Sequence, residues 1–241
     1  MNRTMPEPLP FVLVHGAFHG PWCFEPLVAA LARRGRACTT PELPLTSLAE
    51  DAAAVTRALD RIASESAGRS AGRIVLLGHS YGGAVVTSAG GHPVVERIVL
   101  LTALAPDDGE APNGGPVEIA PAFLSALRPS ATGSLEVDPA RAAELFYPDA
   151  DPAAAAAAAA RLRPGNTGVS GEKIARAAWR DRPTDYVVCA DDPIILARSQ
   201  RALAARTGAK VHELPGDHSP FLARPEALAA LLVGIADARL P

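Results

Sequence analysis

Residues 73–83 read Arg73-Ile74-Val75-Leu76-Leu77-Gly78-His79-Ser80-Tyr81-Gly82-Gly83. The first part of this stretch is continuously apolar, which is typical of a strand whose two faces are both covered by helices in a parallel sheet. The second part is rich in glycine, which permits a sharp turn. We predict a helix over the next residues, 84–90. A buried strand, a tight turn and a helix in succession are typical of an α/β fold.

The same alternation of strand and helix extends through most of the chain. Predicted strands cover residues 11–14, 37–40, 73–77, 98–101, 186–189 and 211–214, and predicted helices cover 22–34, 47–64, 84–90, 194–206 and 220–237. Strands that are separated by helices form βαβ units, whose crossovers give a parallel sheet. We therefore predict an α/β protein with a doubly wound, mostly parallel sheet.

The alternation stops between residues 106 and 181. This stretch contains several Pro and Gly residues, short helical patches and an alanine run at residues 153–160, but no strand pattern. Alanine has the highest helix propensity, so the run predicts a helix. We interpret residues 106–181 as a helical cap inserted into an α/β core formed by residues 1–105 and 182–241, and we call the inserted segment the cap.

The composition limits the classes of partner. The chain has 241 residues, of which 48% are hydrophobic and 20% charged, and a formal net charge of −3. These values are ordinary for one soluble domain. No basic cluster predicts nucleic-acid binding, and the apolar runs are shorter than the roughly 18 residues that span a membrane. Residues 1–10 lack the apolar region of a secretory signal, so we expect a cytoplasmic location.

Cysteine and histidine spacing indicates no metal site. Cys23, Cys38 and Cys189 are widely spaced and match no zinc or disulfide pattern, so we expect buried, reduced thiols. The six histidines lack metal-ligand spacing, and no glycine-rich nucleotide motif follows the first strand. The sequence therefore predicts neither a metal nor a cofactor. A homodimer is compatible with the sequence but is not indicated by it.

The stretch Gly78-x-Ser80-x-Gly82 matches the nucleophile elbow. In this motif a serine sits on a strained turn between a strand and a helix, and small neighbours allow the two elements to approach closely. The turn exposes the hydroxyl at the helix N-terminus, where the helix dipole favours negative charge. We predict that Ser80 is a catalytic nucleophile.

A serine hydroxyl needs an adjacent base, and His218 is the candidate. It lies in Pro215-Gly216-Asp217-His218, directly after the strand predicted at 211–214. The carboxyl ends of parallel strands meet at one edge of the sheet, so we expect His218 near Ser80. His15 and His79 are interpreted as a loop-ordering residue and a packing residue.

The base in turn needs an acid that orients it. Two pairs of aspartates follow predicted strands and are candidates: Asp107 and Asp108, and Asp191 and Asp192. The pattern alone leaves all four open, because aspartate also caps helices and forms turns. An oxyanion hole should use the backbone N–H of Tyr81 and a second N–H from the loop at 15–20.

Four segments resemble the small α/β hydrolases that include plant methylesterases, salicylate esterases and hydroxynitrile lyases. They are VLVHGAFHGPW at 12–22, GHSYGG at 78–83, CADDPII followed by Gln200 at 189–200, and PGDHSPF at 215–221. The resemblance implies the α/β-hydrolase fold. In this family the acid stands three residues before an Ile and eight before a Gln, which assigns the role to Asp192. The same resemblance assigns the oxyanion donors to the backbone of Ala17 and Tyr81.

Departures from the family pattern point to its esterase branch. The lyases carry Lys and Thr where this chain has Ser219 and Gly16. The plant esterases often carry Cys and Met where this chain has Phe18 and Ser219, so both positions are expected near the substrate. Trp179, which ends the cap, is a third candidate for substrate binding.

The sequence supports three functional hypotheses. The first is a serine hydrolase that cleaves a small-molecule carboxylic ester or lactone through an acyl-enzyme, with Ser80, His218 and Asp192 as its triad. The second is lyase or cyclase chemistry on the same scaffold in a biosynthetic pathway. The third is a ligand receptor built on the hydrolase fold. The complete triad pattern favours the first.

Overall fold

The computed structural model describes residues 8–65, 73–131, 133–165 and 171–238. This part of the chain contains eight strands: β1 (Phe11–Val14), β2 (Cys38–Thr39), β3 (Ile74–His79), β4 (Val95–Leu101), β5 (Leu127–Pro129), β6 (Leu135–Val137), β7 (Thr184–Cys189) and β8 (Lys210–Leu214). Six of them form one sheet in the order β2-β1-β3-β4-β7-β8. Every neighbouring pair in this sheet is parallel.

The strand order shows that the sheet is doubly wound. The chain passes from β1 outward to β2, returns to the other side of β1 as β3, and continues in one direction to β8. The reversal creates a switch point between β1 and β3, where loops diverge and ligands commonly bind. All residues of β1 and β3 are buried, as expected when both faces of a sheet are covered. The predicted fold class is confirmed.

The same residues form nine α-helices: α1 (Glu25–Ala32), α2 (Leu48–Glu65), α3 (Gly82–Ala89), α4 (Pro121–Leu124), α5 (Pro139–Phe146), α6 (Pro152–Ala159), α7 (Ala197–Thr207), α8 (Pro220–Ala223) and α9 (Pro225–Asp237). Helix α1 packs against α9, and α2 packs against α3. The alanine run forms α6, as predicted, and the Asp151 side chain caps it by accepting bonds from two backbone N–H groups. Within the described residues, no helix combines the length and the apolar character needed to cross a bilayer.

Two of the helices predicted as continuous are divided into two elements. The helix predicted at 220–237 is divided into α8 and α9 at Arg224, since Pro225 lacks the N–H that would continue α8 and instead begins α9. The helix predicted at 22–34 starts as a 3-10 turn, Pro21–Phe24, before α1.

The prediction that the cap contains no strand is wrong. Strands β5 and β6 form a two-stranded antiparallel sheet between α4 and α5. Each has three residues, and Arg128 faces Glu136 across the pair, with their side chains in an ion pair of 2.9 Å. Strands this short and this polar lack the apolar alternation on which a strand prediction depends.

The three cysteines are free thiols. Cys23 and Cys189 are buried, whereas Cys38 is only partly buried. Burial raises the pKa of Cys38 to about 11 and also raises the pKa values of Cys23 and Cys189. All three therefore remain protonated at neutral pH, which makes them poor nucleophiles.

Candidate active site

Ser80 lies in the tight turn between β3 and α3. Its φ of +53° falls in the left-handed region that residues other than glycine rarely adopt. A Cβ on Gly78 would lie 2.5 Å from the carbonyl oxygen of Gly82, and a Cβ on Gly82 would lie 2.5 Å from that of Val14. Glycine is therefore required on both sides of Ser80, and the packed turn holds the serine in a strained conformation.

The end of β4 anchors the backbone of Ser80. The Ser80 N–H donates to the carbonyl oxygen of Leu101 at 3.2 Å, and its own carbonyl oxygen accepts from Leu104 N–H at 3.0 Å. Ser80 is nevertheless partly exposed. The turn thus presents a serine hydroxyl at the carboxyl edge of the sheet on a fixed backbone.

His218 is fully buried and is fixed from two directions. Its Nδ1 lies 2.7 Å from Oδ2 of Asp192. Its carbonyl oxygen accepts hydrogen bonds from Nε2 of His79 at 2.8 Å and from Oγ1 of Thr102 at 3.3 Å. A carboxylate only accepts, so Nδ1 carries the hydrogen and the neutral ring has its lone pair on Nε2. That Nε2 is buried and has no hydrogen-bond partner in the described chain.

Asp192 receives four hydrogen bonds, which orient its carboxylate. Oδ1 accepts from the N–H groups of Ile194 and Ile195 at 2.7 and 3.0 Å. Oδ2 accepts from His218 and, at 2.8 Å, from Nε2 of Gln200. Ile195 and Gln200, which stand three and eight residues after Asp192, are thus both direct hydrogen-bond donors to its carboxylate. Such a network holds the imidazole in one tautomer and one orientation.

The other three candidate acids have local structural contacts. Asp191 Oδ2 accepts from Gly216 N–H at 3.3 Å and so joins the loops after β7 and β8. Asp107 pairs with the exposed Arg180 at the surface, and the guanidinium keeps the pKa of the Asp107 carboxyl below its ordinary value. Asp108 accepts from Ala177 N–H at 2.6 Å. Among the four aspartates, the carboxylate that meets His218 is Asp192.

The sequence predicts only a packing role for His79. In the structure His79 also forms a hydrogen bond to the backbone of His218. Its ring centroid lies 4.8 Å from that of His218, and its Nε2 donates to the His218 backbone. Burial lowers the pKa of His79 well below 6.5, so the ring is neutral. His79 immediately precedes Ser80, and its contact with His218 therefore brings the elbow and the histidine loop together.

The loop at 15–20 lies directly against the nucleophile. A Cβ on Gly16 would lie 2.9 Å from Cβ of Ser80. His15 orders this loop, since its Nδ1 donates to the Gly16 carbonyl oxygen at 2.9 Å and its Nε2 accepts from Leu43 N–H at 3.2 Å. Ala17, the first predicted oxyanion donor, is the next residue after Gly16.

The second predicted donor, Tyr81, follows Ser80 at the start of α3. The first N–H groups of a helix have no acceptor within the helix and are available to other partners. The Tyr81 side chain is directed elsewhere, because its hydroxyl donates to the buried carboxylate of Asp51 at 2.8 Å. The group of Tyr81 that remains available next to Ser80 is therefore its backbone N–H.

Phe18 and Ser219, two of the three predicted substrate contacts, lie close to the catalytic candidates. The Phe18 ring centroid lies 6.3 Å from that of Phe123 and 6.5 Å from that of Phe146, and Phe146 lies 6.1 Å from the His218 ring. Ser219 is fully buried, and its hydroxyl has no partner in the described chain.

Trp179, the third predicted substrate contact, joins the two ends of the cap. Its indole Nε1 donates to the carbonyl oxygen of Pro106 at 2.9 Å, and the Arg180 guanidinium lies 5.0 Å from the centre of its ring. These contacts close the base of the inserted segment. Phe18, by contrast, contacts Phe146, whose ring in turn lies 6.1 Å from that of His218.

Sequence reasoning missed several residues around His218. Phe123 and Phe146 belong to the aromatic cluster that reaches the His218 ring, although nothing in the sequence distinguishes them from ordinary core residues. Thr102, whose backbone φ is +43°, is a further such residue, since its hydroxyl donates to the His218 carbonyl oxygen. Its position directly after the predicted strand at 98–101 was the available signal, because strand ends meet at the ligand-binding edge.

Comparison with known proteins identifies the family. A model of the Alpha/beta hydrolase family matches residues 11–231. The chain belongs to this family. A carbendazim hydrolyzing esterase from Nocardioides sp. (strain SG-4G) is 31% identical over 133 residues, which cover 50% of this chain and 54% of the esterase. A pyrethroid hydrolase from Sphingobium wenxiniae (strain DSM 21828 / CGMCC 1.7748 / JZ-1) is 28% identical over 250 residues, which cover 94% and 87% of the two chains.

Solved structures share the fold of this α/β hydrolase. Polyneuridine aldehyde esterase superimposes with a TM-score of 0.78 at 21% identity, covering 95% of this chain and 100% of the esterase. The predicted α/β-hydrolase fold and the predicted resemblance to an esterase group are confirmed.

Proposed function

We propose that this α/β hydrolase is a serine hydrolase that cleaves a small-molecule carboxylic ester or lactone through an acyl-enzyme intermediate. One observation carries the proposal. His218 donates through Nδ1 to the buried carboxylate of Asp192, which leaves the lone pair on its buried Nε2 without a partner in the described residues, and His79, which immediately precedes the strained Ser80, bonds to the His218 backbone. A neutral imidazole in this tautomer is the general base that a serine nucleophile needs.

The proposed reaction uses each group in turn. The Ser80 hydroxyl attacks the ester carbonyl carbon while Nε2 of His218 takes its proton, and Asp192 stabilises the resulting imidazolium. The N–H groups of Ala17 and Tyr81 stabilise the oxyanion of the tetrahedral intermediate. His218 then returns the proton to the leaving alcohol, which leaves an ester between Ser80 and the acyl group. A water molecule, deprotonated by His218, cleaves that ester and restores Ser80.

The relatives support ester cleavage. They include the carbendazim hydrolyzing esterase, the pyrethroid hydrolase and, at 26% identity over 260 residues, the rice esterase PIR7B. Sequence identities of 31%, 28% and 26% support the inference that an ester bond is cleaved, but they do not identify a particular substrate. We therefore propose a carboxylic ester hydrolase and leave the acyl and alcohol groups to be determined by assay.

The test combines turnover with covalent labelling. The wild-type protein should hydrolyse p-nitrophenyl acetate or butyrate and should be labelled by a fluorophosphonate on Ser80, as mapped by mass spectrometry. Ser80→Ala should lose label and about 10⁴-fold or more in kcat. The matched control is Ser88→Ala, which removes an exposed hydroxyl from the same helix, α3.

Each alternative function gives a different result in this test. Labelling of Ser80 without turnover of esters or lactones would reject hydrolysis in favour of lyase or cyclase chemistry. Tight binding of a small molecule with neither labelling nor turnover would favour a receptor. Full ester turnover in Ser80→Ala would reject the covalent mechanism.

A further inference from the structure

Tyr147, at the end of cap helix α5, is linked to the backbone of Ala17 through His19. The Tyr147 hydroxyl lies 2.8 Å from Nε2 of His19, and Nδ1 of His19 lies 2.8 Å from the Ala17 carbonyl oxygen. Because a carbonyl oxygen only accepts, Nδ1 carries the hydrogen of the neutral ring, and Nε2 accepts from the tyrosine. The chain of donors therefore runs from the cap, through His19, to the loop at 15–20.

The groups in this chain are buried and keep their protons in place. His19 and Tyr147 are both buried. Burial lowers the pKa of His19 to about 3 and raises that of Tyr147. The imidazole is therefore neutral and the phenol is protonated across the neutral range, so the direction of both hydrogen bonds is constant.

Arg163, also in the cap, donates two hydrogen bonds to the same loop and a third to the neighbouring backbone at Leu43. Its backbone N–H donates to the Phe18 carbonyl oxygen at 2.8 Å. Its guanidinium donates through Nε to the His19 carbonyl oxygen at 2.9 Å and through Nη2 to that of Leu43 at 2.6 Å. Three successive carbonyl groups of the loop, those of residues 17, 18 and 19, are thus bound by His19 or by the cap.

The backbone of the loop needs such support. Phe18 has a φ of +65°, a conformation that phenylalanine adopts only when its surroundings impose it. The peptide that carries this strain directly follows Ala17. A hydrogen-bond donor that stabilises an oxyanion must be held in place before the reaction, because a displacement of about 1 Å costs up to about 100-fold in rate.

We infer that Tyr147 and Arg163 are positioning residues that fix the backbone directly after Ala17 and thereby hold the Ala17 N–H in the geometry of an oxyanion donor, so that the cap builds part of the oxyanion hole. The inference rests on the proposed function, in which Ala17 N–H stabilises the tetrahedral intermediate. Neither side chain touches the reacting atoms in this scheme. Both act through the loop at 15–20.

The test compares Tyr147→Phe and Arg163→Met with Arg141→Met. Arg141 is another cap arginine, and its contacts with Ala122, Ser125 and Glu144 all lie within the cap. In each variant we would measure kcat and KM on p-nitrophenyl butyrate and inhibition by a trifluoromethyl ketone, whose adduct with a serine carries an oxyanion. Amide hydrogen exchange of the peptide at 11–24 reports on the loop without any chemistry.

Both positioning variants should lose about tenfold or more in kcat with KM changed by less than about twofold, since the donor acts in the transition state. The inhibition constant of the ketone should rise by the same factor, and exchange at residues 15–20 should accelerate. Arg141→Met should stay within about twofold of the wild type in every measurement. Because Arg163→Met removes only the guanidinium contacts, it serves as an independent test should Tyr147→Phe fail to fold.

Two results would overturn the inference. One is unchanged exchange at residues 15–20 in both variants, which would show that the cap does not hold the loop. The other is a rise in KM alone, which would assign the cap contacts to substrate binding. Hydrogen exchange shows whether Tyr147 and Arg163 hold the loop at 15–20 even if the wild-type protein cleaves no ester. Failure of the proposed function is therefore distinguishable from failure of this inference.

Discussion

The carboxylate of Asp192 meets Nδ1 of His218 at 2.7 Å, and both side chains are completely buried. The pair is not isolated, since Gln200 donates to the same carboxylate oxygen at 2.8 Å. Burial excludes water from competing for these bonds, so the orientation of the imidazole is set by the protein alone. This relationship distinguishes Asp192 from the aspartate that immediately precedes it.

We predict that Asp192→Asn lowers kcat by about 10³- to 10⁴-fold. An asparagine can present its amide N–H to Nδ1, which would move the ring hydrogen to Nε2 and remove the lone pair that the base requires. The matched control is Asp191→Asn, because Asp191 bonds to the loop backbone at Gly216 instead. Steady-state kinetics on one ester would check both, and equal losses in the two variants would contradict the assignment of Asp192.

His79 should influence catalysis through the backbone of His218. His79→Leu removes the donor to the His218 carbonyl oxygen, and we expect a loss in kcat of about tenfold with little change in KM. His79→Gln retains an N–H donor and should recover a substantial part of this loss. A purely space-filling role would instead make the leucine variant the more active of the two.

The pH–rate profile of His79→Gln provides a second test of this role. Its pKa lies well below 6.5 because it is buried, so it stays neutral across the neutral pH range. The acid limb of the pH–rate profile should therefore keep its midpoint in His79→Gln while the plateau falls. A shift of that midpoint would show that His79 also affects the ionisation of the group that controls the rate.

Strand ends and glycine patterns were sufficient to predict the fold and the positions of Ser80 and His218. Ser80 directly follows β3 and His218 lies in the loop after β8, and parallel strands bring their carboxyl ends to one edge. The choice between Asp191 and Asp192 was beyond local patterns, because both follow β7 and differ only in the donors that meet their side chains.

Contacts between the cap and the core could not be predicted in this way. Tyr147 and His19 are separated by 128 positions, and no periodicity in the sequence indicates which cap side chain meets which loop. The antiparallel strands β5 and β6 were missed for a related reason, since three-residue strands stabilised by their neighbours carry little local signal.

The elbow glycines should be required for folding. In Gly78→Ala the new methyl group would meet the Gly82 carbonyl oxygen at 2.5 Å, and backbone on both sides would have to move. We expect a loss of about 2 kcal/mol or more in the free energy of unfolding, which is typical of overpacked sites. Urea denaturation followed by circular dichroism would measure it.

Gly234→Ala is the matched control for this substitution. Gly234 lies inside α9, and a Cβ placed there meets no atom within 4 Å. Alanine favours a helix interior over glycine by about 0.5–1 kcal/mol, so this variant should be slightly more stable than the wild type. Equal effects of the two substitutions would contradict the close approach of β3 and α3.

Finally, His15 should make stability depend on pH. Burial lowers its pKa from 6.5 to about 4 in the folded protein, whereas the unfolded chain keeps a value near 6.5. Between these values the unfolded state binds the proton and the folded state does not, so stability is complete above pH 6.5 and falls as the pH drops toward 4. At pH 5 the loss in the free energy of unfolding that is attributable to this one residue is about 2 kcal/mol.

His15→Gln should therefore show a shallower fall in the free energy of unfolding between pH 7.5 and pH 5, by about that amount. Parallel urea titrations at the two pH values would measure the difference, and the same slope in both proteins would show that His15 is not held neutral by the fold.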